Sequence, residues 1–127
     1  MLARKALGQW LMLNRWDDMS LYADYLKERT DDQILETEFG FATYRFLDEK
    51  TVYIVDIYVM PECRRGTHAS AMADNIVRAS KLKGCTKLLG TVVPSAKGST
   101  TSLKVLLGYG MKLKSCSNDC IVFEKDI

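Results

Sequence analysis

The sequence predicts an α/β (α+β) fold: a central mixed, mostly antiparallel sheet with helices on both faces and an N-terminal helical segment. Three observations carry this expectation. Residues 34 to 59 hold successive β-prone runs separated by short polar stretches, the pattern of antiparallel strands joined by tight turns. Residues 53 to 72 pass from a β-branched and aromatic run, through a basic turn, into a helix-patterned stretch. A further strand pattern follows that helix, and a strand–helix–strand order implies a parallel pair with a right-handed crossover. At 127 residues the length fits a single domain spanning 1–127, with room for one substantial core.

Taken in order, Leu7, Trp10, Leu11 and Leu13 recur at roughly helical spacing between Leu2 and Trp16. Asp17 and Asp18 break that pattern and are placed to cap a second helix, Met19 to Arg29, with Leu21, Tyr22, Tyr25 and Leu26 as its apolar stripe. Ile34 to Glu38 alternates loosely, Phe39 to Leu47 is aromatic and β-prone, and Gly40 suggests a turn or bulge near their junction. Asp48, Glu49 and Lys50 make a polar turn before Thr51 to Val59, whose nearly continuous apolar character predicts a central strand buried on both faces. Pro61 ends it. Ala69, Met72, Ile76 and Ala79 then mark the buried face of an amphipathic helix that stops at Gly84. Thr86 to Val93 reads as a strand halted by Pro94. Ser99, Thr100 or Thr101 is placed to cap a short helix carrying Leu103, Leu106 and Leu107, closed by Gly108-Tyr109-Gly110. Met111 to Ser115 and Cys120 to Glu124 read as closing strands around a Ser-Asn-Asp turn.

Bulk properties narrow the function classes. A net charge of +2 and the absence of long basic blocks argue against a nucleic-acid or membrane partner. The apolar fraction of 47% argues for a folded globule. Cys63, Cys85, Cys116 and Cys120 contain no Cys-x-x-Cys pair, and the single histidine, His68, is remote from the last two, so no metal site is expected. Scattered cysteines without a secretory signal read as reduced thiols in a cytoplasmic protein.

The strand–turn–helix passage carries the chemistry. Free N–H groups in the first turn of a helix, with the helix dipole behind them, make an anion site. Arg64 and Arg65 sit beside it, either as phosphate ligands or as plain surface charges. Asp56 is the one carboxylate inside the apolar run Ile54 to Tyr58, where burial costs desolvation unless the group is paired or faces a cleft. Tyr58 and Tyr109 read equally as half-buried tyrosines with satisfied hydroxyls. His68, at a helix start, reads as solvent-facing, and Cys63 lacks a base partner.

The run Val-Asp-Ile-Tyr-Val-Met-Pro-Glu-Cys-Arg-Arg-Gly-Thr-His-Ala at 55 to 69, together with the order of elements from residue 34 to 126, resembles the GNAT N-acetyltransferases. Arg64 stands at the first position of the family's Arg/Gln-x-x-Gly-x-Gly/Ala loop and Ala69 at the last, while Thr67 stands where the family has its middle glycine. The resemblance implies a GNAT-like fold and acetyl-CoA as co-substrate. It implies an amine acceptor, on a small molecule or a protein lysine, that attacks the thioester directly. Ile57, Tyr58 and Val59 would offer backbone groups to the pantetheine, and the N–H groups of Arg65, Gly66, Thr67, His68, Ala69 and Ser70 would hold the diphosphate. In this reading Asp56 is the base, its pKa raised by its setting. The family's acid tyrosine has no counterpart here, Lys104 or Leu106 taking its place according to alignment, and Tyr109 is the nearby substitute. A GNAT-like module that binds coenzyme A or a protein without turnover is the alternative, and an acyl-CoA with a longer chain a third reading. A homodimer through the closing strands, Cys120 to Glu124, is an arrangement the resemblance allows.

Overall fold

The computed structural model describes residues 20–127, so the expected helix from Leu2 to Trp16 and the caps Asp17 and Asp18 lie outside the described residues. Contacts divide the chain into two compact units, Met1–Gln33 and Ile34–Ile127.

In the first unit, α1 (Leu21–Arg29) is capped by Ser20, whose side chain accepts from the Ala23 N–H at 3.0 Å. Its buried residues are Ala23 and Leu26, three apart on one face, whereas Leu21, Tyr22 and Tyr25 are exposed. Of the expected stripe only Leu26 is buried, with Ala23 beside it on the same face. Thr30 ends the helix by returning both its N–H and its hydroxyl to the Leu26 carbonyl, at 2.8 and 2.9 Å.

The second unit is built on β1 (Gln33–Glu36, which starts at the unit boundary), β2 (Gly40–Phe46), β3 (Thr51–Val59), β4 (Lys87–Val92), β5 (Lys112–Ser117) and β6 (Cys120–Asp126). They form one six-stranded mixed sheet in the order β1-β2-β3-β4-β6-β5. β2 pairs antiparallel with β3, β3 parallel with β4, and β6 lies antiparallel between β4 and β5. Two helices, α2 (His68–Leu82) and α3 (Ser99–Gly108), connect β3 to β4 and β4 to β5. The architecture is α+β, a mixed sheet with helical connections.

The core lies on one sheet face. Ala42, Val52, Leu88, Val92 and Phe123 of the strands share one buried cluster with Met72 and Ile76 of α2 and with Met111, which follows α3. Each large apolar side chain buried here removes enough surface from water for about 1.5–3 kcal/mol. Ser80, not Ala79, completes the buried face of α2, because its hydroxyl donates to the Ile76 carbonyl at 2.7 Å and needs no outside partner. Both helices end in the same way. Gly84 (φ 97°) and Gly110 (φ 87°) occupy the left-handed position, their N–H groups returning to Lys81 and Leu107 and those of Cys85 and Met111 to Ser80 and Leu106. At the other end of α3 the expected Ser or Thr cap is absent: left-handed Gly98 holds that position, and the Ser99 hydroxyl donates to the Pro94 carbonyl at 2.9 Å instead. β6, which holds Cys120 to Glu124, is an interior strand, and β1 and β5 are the edges of the sheet.

Candidate active site

β3 and β4 part company halfway along their length. Their ladder runs from Thr51–Lys87 to Ile54–Gly90 and stops, although β3 continues to Val59 against β2 and β4 continues to Val92 against β6. The cause is local. Thr43 faces Asp56 and Tyr44 faces Ile54, so Val55 is an extra residue on β3. Such a bulge bends and twists its strand, and this one falls where the β4 ladder ends. Beyond it, the β3 edge from Val55 to Val59 faces a gap and not a partner strand.

A cavity of about 230 Å³ opens from that gap. Ile54, Ile57, Leu88 and Gly90 line it from the sheet, Gly66, Ala69, Ser70 and Ala73 from the start of α2, and Val105, Leu106, Gly108 and Tyr109 from α3. Its walls are apolar along the strands and offer backbone N–H groups at the α2 end. Gly90 keeps it open: a Cβ there would lie 3.0 Å from Leu106 Cδ2 and 3.5 Å from Met111 Cε.

The turn into α2 is a one-turn 3₁₀ segment, Pro61–Cys63, followed by Arg65 in the left-handed region at φ 69°. That conformation costs a non-glycine residue about 1–2 kcal/mol. Thr67 stands at the N-cap without a side-chain cap bond, and its carbonyl accepts from the Ser70 hydroxyl at 3.1 Å and the Ala71 N–H at 2.8 Å. The N–H groups of His68, Ala69 and Ser70 therefore have no intrahelical acceptor. Gly66, Ala69 and Ser70 also line the cavity, so the helix start and the gap between the strands are one continuous surface.

The structure distributes the sequence-selected side chains unevenly. Ile57 lines the cavity; Tyr58 and Asp56 alternate onto the opposite sheet face, as their partners Phe41 and Thr43 do on β2. Asp56 is exposed, so the desolvation cost that singled it out is not incurred; its carboxylate faces solvent beside the gap. Arg64 turns back on β3: its Nε donates to the Val59 carbonyl at 2.8 Å and its guanidinium lies 5.4 Å from the Tyr58 ring centroid. Arg65 is exposed. His68 is half-buried, not solvent-facing, because its ring stacks on Phe39 at 4.1 Å. Only its backbone N–H is left to the helix start.

Tyr109 reaches the cavity wall, but its hydroxyl donates to Asp74 Oδ1 at 2.6 Å. Burial, then the hydrogen bond to Asp74 and its charge, push the phenol far above its ordinary range. The proton expected to serve the leaving group is thus committed to a carboxylate on α2. Lys125 fixes the same residue from β6, its Nζ donating to the Tyr109 carbonyl at 2.9 Å and lying 4.5 Å from the ring centroid. Cys85 is buried with its thiol pushed up by desolvation, which makes it a packing residue.

Sequence reasoning missed Gly90, Asp74 and Lys125. A lone glycine within a strand pattern is a signal of close approach that points to Gly90. Asp74 and Lys125 carry no such signal, since each reads as an ordinary solvated charge until the fold brings it to Tyr109.

The fold has counterparts among known proteins. The chain aligns with PaiA N-acetyltransferase from Thermoplasma acidophilum in complex with coenzyme A at a TM-score of 0.67 and 14% identity, over 82% of this chain and 66% of that one. A GNAT family acetyltransferase from Elizabethkingia anophelis with acetyl-CoA bound gives 0.64 and 15%, over 84% and 82%. A Bacillus subtilis acetyltransferase in complex with CoA gives 0.63 and 13%, over 82% and 83%. The chain thus spans about two thirds of the length of the first of these structures and four fifths of the other two. At such identities the likeness is one of fold. A search of curated protein sequences finds no match. The model of the acetyltransferase (GNAT) family, however, matches residues 6–101, well over half of the chain. By that match the chain belongs to the GNAT acetyltransferase family.

Proposed function

We propose that this chain, acting as one acetyltransferase domain over 1–127, transfers an acetyl group from acetyl-CoA to a primary amine of a small molecule or a protein lysine by direct attack. One observation carries the reading: the β3–β4 ladder ends at Ile54–Gly90 and opens an apolar cavity that runs to the uncapped start of α2. An elongated arm with amides along its length and a diphosphate at its end fits that surface. The unpaired β3 edge at Ile57, Tyr58 and Val59 suits the pantetheine amides, as an added strand would. The N–H groups from Arg65 to Ser70 suit the diphosphate. Arg65 faces solvent beside it, whereas Arg64 serves by bracing the end of β3.

In the reaction the amine nitrogen attacks the thioester carbonyl carbon, the C–S bond breaks, and coenzyme A leaves as a thiolate that takes a proton. The amine approaches from the face that carries Asp56, whose exposed carboxylate accepts its proton directly or through water. A backbone N–H near Tyr58 or Val59 stabilises the developing oxyanion. With Tyr109 donating to Asp74, water is the proton source for the thiolate. A cytoplasmic setting belongs to the same reading and rests on the cysteine spacing in the sequence.

A second reading, a coenzyme A-binding or protein-interaction module without turnover, is favoured by the commitment of the Tyr109 proton and by Thr67 at the helix entrance. Calorimetry with acetyl-CoA, followed by a thiol-release assay over polyamines, aminoglycosides, amino acids and lysine peptides, separates the two. Binding with amine-dependent thiol release supports transfer. Binding without release on any amine supports a coenzyme A-binding module, and no binding removes transfer and leaves the protein-interaction module.

A further inference from the structure

We propose that Tyr109 and Asp74 form a latch across the outer wall of the cavity and set how long coenzyme A stays bound, Tyr109 being a positioning residue and not the acid. This deepens the acetyl-CoA reading and rests on it. Ala69, Ser70 and Ala73 of α2 form one wall of the cavity, and Leu106 and Tyr109 of α3 form the facing one. Asp74 follows Ala73 directly, so the 2.6 Å bond from the Tyr109 hydroxyl to Asp74 Oδ1 ties the two walls together at the rim. α2 is seated there by buried Met72, Ala73 and Ile76, whereas on the α3 side Leu106 and Tyr109 are only half-buried, so α3 is the wall that the bond restrains.

The latch is braced from the sheet. Lys125 on β6 holds the Tyr109 carbonyl at 2.9 Å and its ammonium lies over the ring at 4.5 Å. Leu106, whose carbonyl accepts from the Met111 N–H at 3.1 Å, anchors the same turn of α3 over Gly90. The hydroxyl therefore meets Asp74 from a ring that is already oriented. A phenol keeps its proton throughout the neutral range, and burial beside Asp74 holds it more firmly still. A cavity whose walls are held at the ligand's spacing loses little freedom on binding, and the gain appears mainly as slower release.

The experiment measures coenzyme A association and dissociation rates by stopped-flow on the full chain, for wild type, Tyr109→Phe, Asp74→Ala, their double variant and Asp74→Asn, with thermal melts to verify folding. Tyr109→Phe, Asp74→Ala and the double variant are expected to raise the dissociation rate by the same factor, about five- to tenfold, with association within about twofold. Asp74→Asn, whose amide oxygen still accepts the hydroxyl, is expected to stay within about twofold of wild type. Unchanged dissociation in folded Asp74→Ala overturns the latch, as do additive single effects or faster association at unchanged affinity. Failure of the wild type to bind coenzyme A overturns the acetyl-CoA reading itself, and is distinct from all of these.

Discussion

At Gly40 a methyl group would fall 1.9 Å from the Tyr58 carbonyl oxygen, so the start of β2 can approach β3 only without a side chain. Gly40→Ala is expected to cost about 2–4 kcal/mol, read as a lowered urea midpoint at unchanged slope, because the clash is with backbone and no side chain can yield. Asp56→Asn removes a solvent-facing carboxylate and is expected to lower acetyl transfer about 100-fold while leaving coenzyme A affinity and thermal stability unchanged. Turnover that survives the substitution across pH would show that the base lies elsewhere. Tyr109 gives a pH prediction with a definite sign. Its phenol is raised in the native state, so its contribution is fully present below the ordinary phenol value of 10.0 and is lost as pH rises through the higher native value. The melting advantage of wild type over Tyr109→Phe should therefore shrink in alkaline buffer. Gly40 was legible in the sequence as a backbone exception, whereas Asp56 read as a charge in an apolar run and proves exposed, because strand alternation turns it away from the core face. The partner of Tyr109 was not legible, because Asp74 is 35 residues away in the chain.

The start of α2 concentrates two effects that can be set against each other. Ser70→Asp puts a carboxylate in the first turn, where the helix dipole favours it by about 0.3–1 kcal/mol. The same charge repels a bound diphosphate at a surface that Ser70 helps to line. The variant is expected to melt slightly higher than wild type and to bind coenzyme A at least about tenfold more weakly, by calorimetry at low salt. A melt and an affinity that fall together would instead mean that the helix start is held by its own packing. The extent of α2 was readable from its apolar spacing and Gly84, since both act within the helix. The choice of Ser80 over Ala79 was not, because a serine can be buried when it bonds its own helix. In α3 the closing Gly110 was visible, whereas the left-handed Gly98 at its start displaced the hydroxyl caps that propensity favours.

Over the whole of the second unit, the cavity depends on strands that separate and on a missing side chain between them. Gly90→Val is expected to push Leu106 and Met111 outward, to lower stability by about 1–3 kcal/mol and to abolish measurable coenzyme A binding. Retained affinity in that variant would place the cofactor outside the cavity. The sequence by itself determined the order and type of the elements of this unit and the strand–turn–helix passage from β3 to α2, since propensity, period and turn chemistry act between near neighbours. It did not determine that Val55 bulges, that β4 abandons β3 after Gly90, that β6 lies inside the sheet, or that Asp74 and Lys125 close on Tyr109. Those outcomes belong to tertiary structure, because register and long-range contact are fixed by how side chains from distant segments share one core, and no local pattern records that competition.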